Sequence, residues 1–160
     1  MPISSRPTAY LLCGLPGSGK TTYAKKLAKE TGATRLTLDE EVFKNFGRES
    51  DIEYKAREDR TKARLKDRAR ELLRHGESVV FDYGFWKKAA RDEYRRFVEE
   101  LGATCELVYF ATPHDALLQR IRERNSENPV ENHIIDQSML TSFMNEFEPP
   151  EDEGAHVVGL

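Results

Sequence analysis

The run Gly14-Leu15-Pro16-Gly17-Ser18-Gly19-Lys20-Thr21 constrains this chain more than any other segment. It fits the pattern of two glycines framing four residues and followed by Lys and Ser/Thr. Ala9 to Cys13 ahead of it is a short apolar run that predicts a strand. Ala24, Leu27 and Ala28 behind it recur at helical spacing until Gly32. A strand, a glycine-rich turn and a helix in that order form a phosphate cradle. The glycines let successive backbone N–H groups converge on phosphate oxygens, and the helix adds the positive end of its dipole. Lys20 is placed to reach the β and γ phosphates of ATP, and the Thr21 hydroxyl to bind Mg²⁺. Gly14, Leu15, Pro16, Gly17, Ser18, Gly19, Lys20, Thr21 and Thr22 are therefore the expected nucleotide contacts.

The rest of the chain alternates strand and helix signals. Thr34 to Leu38 predicts a second strand ending before Asp39, and Ile52 to His75 a charged helix with a thin apolar stripe. Val79 to Phe81 predicts a third strand ended by Asp82, followed by a helix with Ala90, Tyr94, Phe97, Val98 and Leu101 on one face. Thr104 to Ala111 reads as a fourth strand. Thr112 is then a candidate N-cap with Pro113 in the first turn of a helix reaching about Asn125. A helix from Asp136 to Phe147 and a short strand within His156 to Leu160 complete the order. Such alternation predicts an α/β fold with a parallel sheet covered on both faces and its ligands beyond the C-terminal strand ends. At 160 residues one domain is expected, with residues 1–8 as a flexible tail.

Composition narrows the classes. The net charge is −3 and no apolar run approaches the roughly 20 residues of a membrane span, so a membrane partner is not expected. The N-terminus lacks a secretory pattern, which predicts a cytoplasmic protein. Cys13 and Cys105 fall in predicted strands and read as reduced core residues, and the four histidines show no ligand spacing. No Asn-Lys-x-Asp sequence is present to read guanine.

Three further features join the cradle. Asp82, after Val79, Val80 and Phe81, stands where a carboxylate supports Mg²⁺, or else caps a turn. Asp39 either accepts the proton of an acceptor hydroxyl or caps the next helix. Arg120 and Arg124, four apart on one helical face, suit a polyphosphate, and exposed arginines on a solvated face are the alternative. Phe85 and Trp86 are expected either to floor an acceptor pocket or to pack on the following helix. Lys87 and Arg91 are balanced between substrate contact and an exposed helix.

With GLPGSGKTT, Leu38 to Glu40, VVFDYGFWKKAARDEYR, LLQRIRERN and FEPPEDEG in place, the chain resembles the P-loop kinases around polynucleotide kinase, zeta toxin and chloramphenicol phosphotransferase, small members of which are filed as AAA-type ATP-binding proteins. The resemblance spans nearly the whole chain. It implies a P-loop NTPase three-layer sandwich with a five-stranded parallel sheet of order 2-3-1-4-5. It also implies Asp39 as the catalytic base, Arg120 against adenine and Arg124 on the phosphates, with Lys20 beside them. Polynucleotide kinases follow the base closely with an arginine. Here Glu40 and Glu41 come next, and Lys44 and Arg48 lie further on, which disfavours nucleic acid. The expected activity is transfer of the γ-phosphoryl group of ATP to a small-molecule hydroxyl. A polynucleotide 5′-hydroxyl kinase and a nucleotide-dependent switch acting through a partner are the competing readings.

Overall fold

The computed structural model describes residues 6–15, 17–38, 51–127 and 137–158, with the side chains of residues 51–54, 124, 125, 127 and 137 left aside. Five strands, β1 (Thr8–Cys13), β2 (Thr34–Thr37), β3 (Val79–Gly84), β4 (Thr104–Phe110) and β5 (His156–Val158), form one sheet in the order β2-β3-β1-β4-β5. Every neighbouring pair is parallel. The described helices are α1 (Lys20–Thr31), α2 (Asp51–Arg74), α3 (Lys88–Glu100), α4 (His114–Glu127) and α5 (Gln137–Glu146).

The two faces of the sheet bury different sets, as the period of two in a strand requires. Leu11, Phe81 and Leu107 pack with Leu65, Ala69 and Leu73 of α2 and Tyr94 and Val98 of α3. Leu12, Val80, Val108 and Phe110 pack with Ala24 of α1. A third cluster of Leu15, Leu117, Ile121 and Leu140 seats α4 and α5 against the loop after β1. On α2 the buried positions Thr61, Leu65, Ala69 and Leu73 recur every four residues, so one face is covered and the charged remainder meets solvent.

Four expectations shift. Pro7 O accepts from Thr104 N at 2.9 Å and Thr8 N donates to Ser78 Oγ at 3.0 Å, so ordered pairing already begins within the segment expected to be a tail. β3 runs on past Asp82 to Gly84, because β1 continues beside it and Cys13 pairs with Gly84 after a bulge. Asp82 is therefore an internal strand residue that faces the edge strand at Thr37. Helix α4 starts one residue later than expected, with Leu117 N bonded to Pro113 O. Thr112 does not cap it, and donates its Oγ1 to Ser18 O at 3.3 Å.

Candidate nucleotide and metal site

The loop after β1 is held open by contacts that leave no room for a side chain. Gly14 N donates to Gly84 O at 2.9 Å, which fixes the start of the loop to the end of β3. A Cβ on Gly14 would meet Ser18 Oγ at 2.8 Å and Phe110 Cβ at 2.9 Å. Gly17 and Gly19 have φ of 83° and 95°, the left-handed region that lets consecutive N–H groups turn to one side. Gly19 is the N-cap of α1, which has neither a side-chain cap nor an acidic residue in its first turn. The orphan N–H groups of that turn and its positive dipole end thus have no anion of the protein's own there. The Ser18 hydroxyl is buried without a partner, an orphaned donor inside the same loop. These features fit a phosphate chain. Lys20 Nζ donates to Leu15 O at 2.9 Å and Arg120 Nη1 to Gly17 O at 3.2 Å, so two cations already stand on the rim of the loop.

Asp82 comes to the loop from the neighbouring strand. It lies on the α1 face of the sheet with Val80, and Thr21 Oγ1 donates to its Oδ2 at 3.1 Å. The same oxygen accepts Arg35 Nε at 3.2 Å and Arg35 Nη2 at 3.1 Å. A buried carboxylate that holds a hydroxyl and a cation at once suits Mg²⁺ support, with Thr21 and Asp82 as the residues that would hold the ion. Among the described residues no cluster of three or more His, Cys, Asp or Glu could hold a metal by itself, and Mg²⁺ bound by one or two protein oxygens ordinarily keeps water and substrate phosphate oxygens in its sphere.

The structure brings Gly14, Leu15, Gly17, Ser18, Gly19, Lys20, Thr21, Asp82 and Arg120 together. Thr22 is exposed on the first turn of α1. Pro16, Asp39 and the Arg124 side chain lie outside the described residues. Phe85 takes the packing alternative. It is buried among Phe81, Tyr83 and Tyr94, with φ of 45°, and cannot floor an acceptor pocket. Trp86 instead reaches the loop, where its Nε1 donates to Gly14 O at 3.2 Å while its ring meets Phe143 at 4.8 Å. Lys87 is exposed and pairs with Glu148 at 3.7 Å. Arg91 is neither a substrate contact nor exposed. It is fully buried, with its Nε and Nη2 on Glu153 at 2.9 and 3.0 Å and its Nη1 on Phe85 O at 2.8 Å.

Arg35, Thr112 and Glu153 were not signalled by the sequence pattern. Arg35 sits in a strand read only for its alternation, Thr112 resembled an N-cap, and Glu153 was one acid in a turn-forming stretch. An arginine within a β-rich run four residues ahead of Asp39 was the one available hint. Burial pushes the Cys13 thiol up to about 11, and likewise Cys105, which keeps both as inert thiols.

The uncapped helix, glycine loop and strand-borne aspartate on this sheet order define a small P-loop protein of kinase-like build. The chain belongs to the AAA domain family, whose model matches residues 10–150. Solved structures share the fold. A candidate kinase from Chloroflexus aurantiacus is 18% identical with a TM-score of 0.76, over 98% of this chain and 85% of that one. Kti12 from Chaetomium thermophilum, in complex with ADP-AlF3, is 17% identical with a TM-score of 0.71, over 94% and 88%. A gluconokinase from Sinorhizobium meliloti is 19% identical with a TM-score of 0.65, over 97% and 83%. No curated protein sequence matches. Among the described residues no helix is long and apolar enough to cross a membrane.

Proposed function

We infer that the protein is a kinase that moves the γ-phosphoryl group of ATP onto a hydroxyl of a small molecule, with Mg²⁺. The observation that carries this reading is the contact of Thr21 with Asp82 at the mouth of an uncapped α1. It joins a phosphate cradle to a metal-supporting carboxylate. The likeness to Kti12 holding ADP-AlF3 and to a gluconokinase supports it. In this reading the backbone of Gly14 to Thr21 binds the phosphates, Lys20 neutralises them, Arg120 serves adenine and Arg124 the transferring group. Thr21 and Asp82 would hold Mg²⁺, which when bound would supply neutralisation of phosphate charge. Asp39 accepts the proton of the acceptor hydroxyl, and removal of that proton as the oxygen attacks is the step this chain must perform itself.

Arg57, Arg60, Thr61 and Arg64 of α2 line a cavity of about 360 Å³. Helix α2 leads by a tight turn at Gly76 into β3, so the two run in opposite directions. From Leu73 back to Thr61 the helix rises about 18 Å, close to the roughly 17 Å length of β3. A group of three arginines on one helix is compatible with an acceptor that carries an anionic group, such as a sugar acid or sugar phosphate. The same arginines keep a 5′-hydroxyl polynucleotide as the second reading.

The test is ATP-dependent gain of one phosphoryl mass across sugars, sugar acids, sugar phosphates, nucleosides and a 5′-hydroxyl oligonucleotide. Wild type is expected to modify one class, and Asp39→Asn to lose transfer while still binding ATP. ATP binding without transfer to any hydroxyl compound, or full transfer by Asp39→Asn, overturns the reading. Lys20→Ala should weaken ATP binding roughly tenfold or more, the scale of a charge-assisted hydrogen bond.

A further inference from the structure

The oxygen of Asp82 that faces Thr21 is also the oxygen held by Arg35. Three donors converge on Asp82 Oδ2: Thr21 Oγ1 at 3.1 Å, Arg35 Nε at 3.2 Å and Arg35 Nη2 at 3.1 Å. Both charged side chains are largely shielded, 14% exposed for Arg35 and 3% for Asp82, so water screens the pair little. Strand register explains the approach. Arg35 lies opposite Val80 and Thr37 opposite Asp82 on the neighbouring strand, and the arginine side chain runs forward along the sheet to reach the carboxylate.

A carboxylate oxygen has lone pairs for a few donors, and a dication beside a guanidinium on that oxygen meets strong repulsion at short range. A metal ion that uses this oxygen between Thr21 and Asp82 has to displace Arg35 from it. The long arginine side chain on edge strand β2 can turn away without moving the sheet.

We propose that Arg35 competes with the divalent cation for Asp82, so that metal entry and departure of Arg35 from Asp82 form one coupled step. This rests on Thr21 and Asp82 as the metal subsite proposed above. The competition lowers affinity for the bare ion and makes the ion depend on the negative charge of the nucleotide that brings it. Arg35 is thus a positioning residue for the metal subsite, opposing the metal at rest.

The experiment measures Mg²⁺ affinity by calorimetric titration at a fixed, saturating ADP concentration, with melting temperature in parallel, for wild type, Arg35→Gln, Arg35→Lys and Asp82→Asn. Arg35→Gln is expected to melt lower without ligands, because it leaves Asp82 without its counter-charge, and yet to bind Mg²⁺ about tenfold more tightly. Arg35→Lys, which keeps the charge but not the two-donor fork, is expected about two- to threefold tighter, and it decides the matter if the Gln variant does not fold. Asp82→Asn should weaken Mg²⁺ binding. Equal or weaker Mg²⁺ binding in the Arg35 variants, while Asp82→Asn still weakens it, overturns the competition. Mg²⁺ affinity untouched by Asp82→Asn overturns the metal subsite itself, which separates the two failures.

Discussion

Arg91 and Glu153 form a two-point ion pair inside the protein, Nε to Oε1 at 2.9 Å and Nη2 to Oε2 at 3.0 Å, with side chains only 1% and 4% exposed. The pair joins α3 to the turn ahead of β5, and Arg95 adds a bond from its Nη2 to Glu153 O at 3.1 Å. Through Arg91 Nη1 it also grips the carbonyl of Phe85, whose positive φ is strained for a side chain with a Cβ. Phe85 precedes Trp86, and Trp86 bonds the first glycine of the nucleotide loop. The C-terminal turn is in this way tied to the phosphate cradle.

Breaking that pair from one side should be costly. Glu153→Ala leaves a buried guanidinium unpaired, and a loss of about 3–5 kcal/mol is expected in urea unfolding. A double replacement by apolar residues, Arg91→Met with Glu153→Leu, should recover much of it, because neither charge is then desolvated alone. Equal losses in the single and double variants would show that the pair is not the source of the effect.

Acid should act through the same residue. The Arg91 bond holds the Glu153 carboxyl below its usual range. Burial is the largest single influence on Arg91 and disfavours its cation, but the bond to Glu153 and the electrostatic pull of Cys13, Glu153 and Glu148 together outweigh it and raise the arginine. A lowered folded pKa means that Glu153 contributes its stability above the unfolded value of about 4.3 and loses it as pH falls through the folded value. Melting temperature measured from pH 6 down to pH 3 should therefore fall more steeply for wild type than for Glu153→Gln. Parallel curves would contradict the assignment.

Gly14 tolerates no side chain. In Gly14→Ala the new methyl would sit 2.8 Å from Ser18 Oγ and 2.9 Å from Phe110 Cβ, and the second of these is anchored close to the β4 backbone. Overpacking of this kind costs about 1–3 kcal/mol, and the shift falls on the cradle itself. ATP affinity by calorimetry should drop further than stability alone explains, and an unaltered affinity would refute the close fit.

Trp86 is the single tryptophan of the chain. Its indole N–H ends on Gly14 O, so filling of the loop should change its emission in a saturable way. Trp86→Phe should lose about 1 kcal/mol in unfolding through that hydrogen bond. Emission indifferent to saturating ATP would disconnect the indole from the nucleotide site.

Much of the fold was legible because its signals are local. The strand, glycine turn and helix from Thr8 to Thr31 follow from short apolar and periodic patterns, and the sheet order followed from the resemblance carried by these motifs. The glycine-rich loop was legible for the same reason, since its glycines, lysine and threonine are contiguous. Boundaries set by a neighbour were not. β3 extends through Gly84 because β1 offers it a partner, and Thr112 gives up a cap position for the loop carbonyl of Ser18.

What the sequence determined by itself is the strand, glycine loop and first helix and the α/β alternation around them, because backbone geometry and periodicity depend on adjacent residues. What the tertiary structure decided is which charges meet. Arg35 and Asp82 lie 47 positions apart and Arg91 and Glu153 lie 62 apart. Nothing in local patterning distinguishes these arginines from the many solvated cations of the chain. Only the sheet register and the burial it imposes select them, since a charge withdrawn from water must find its counter-charge wherever the fold has brought it.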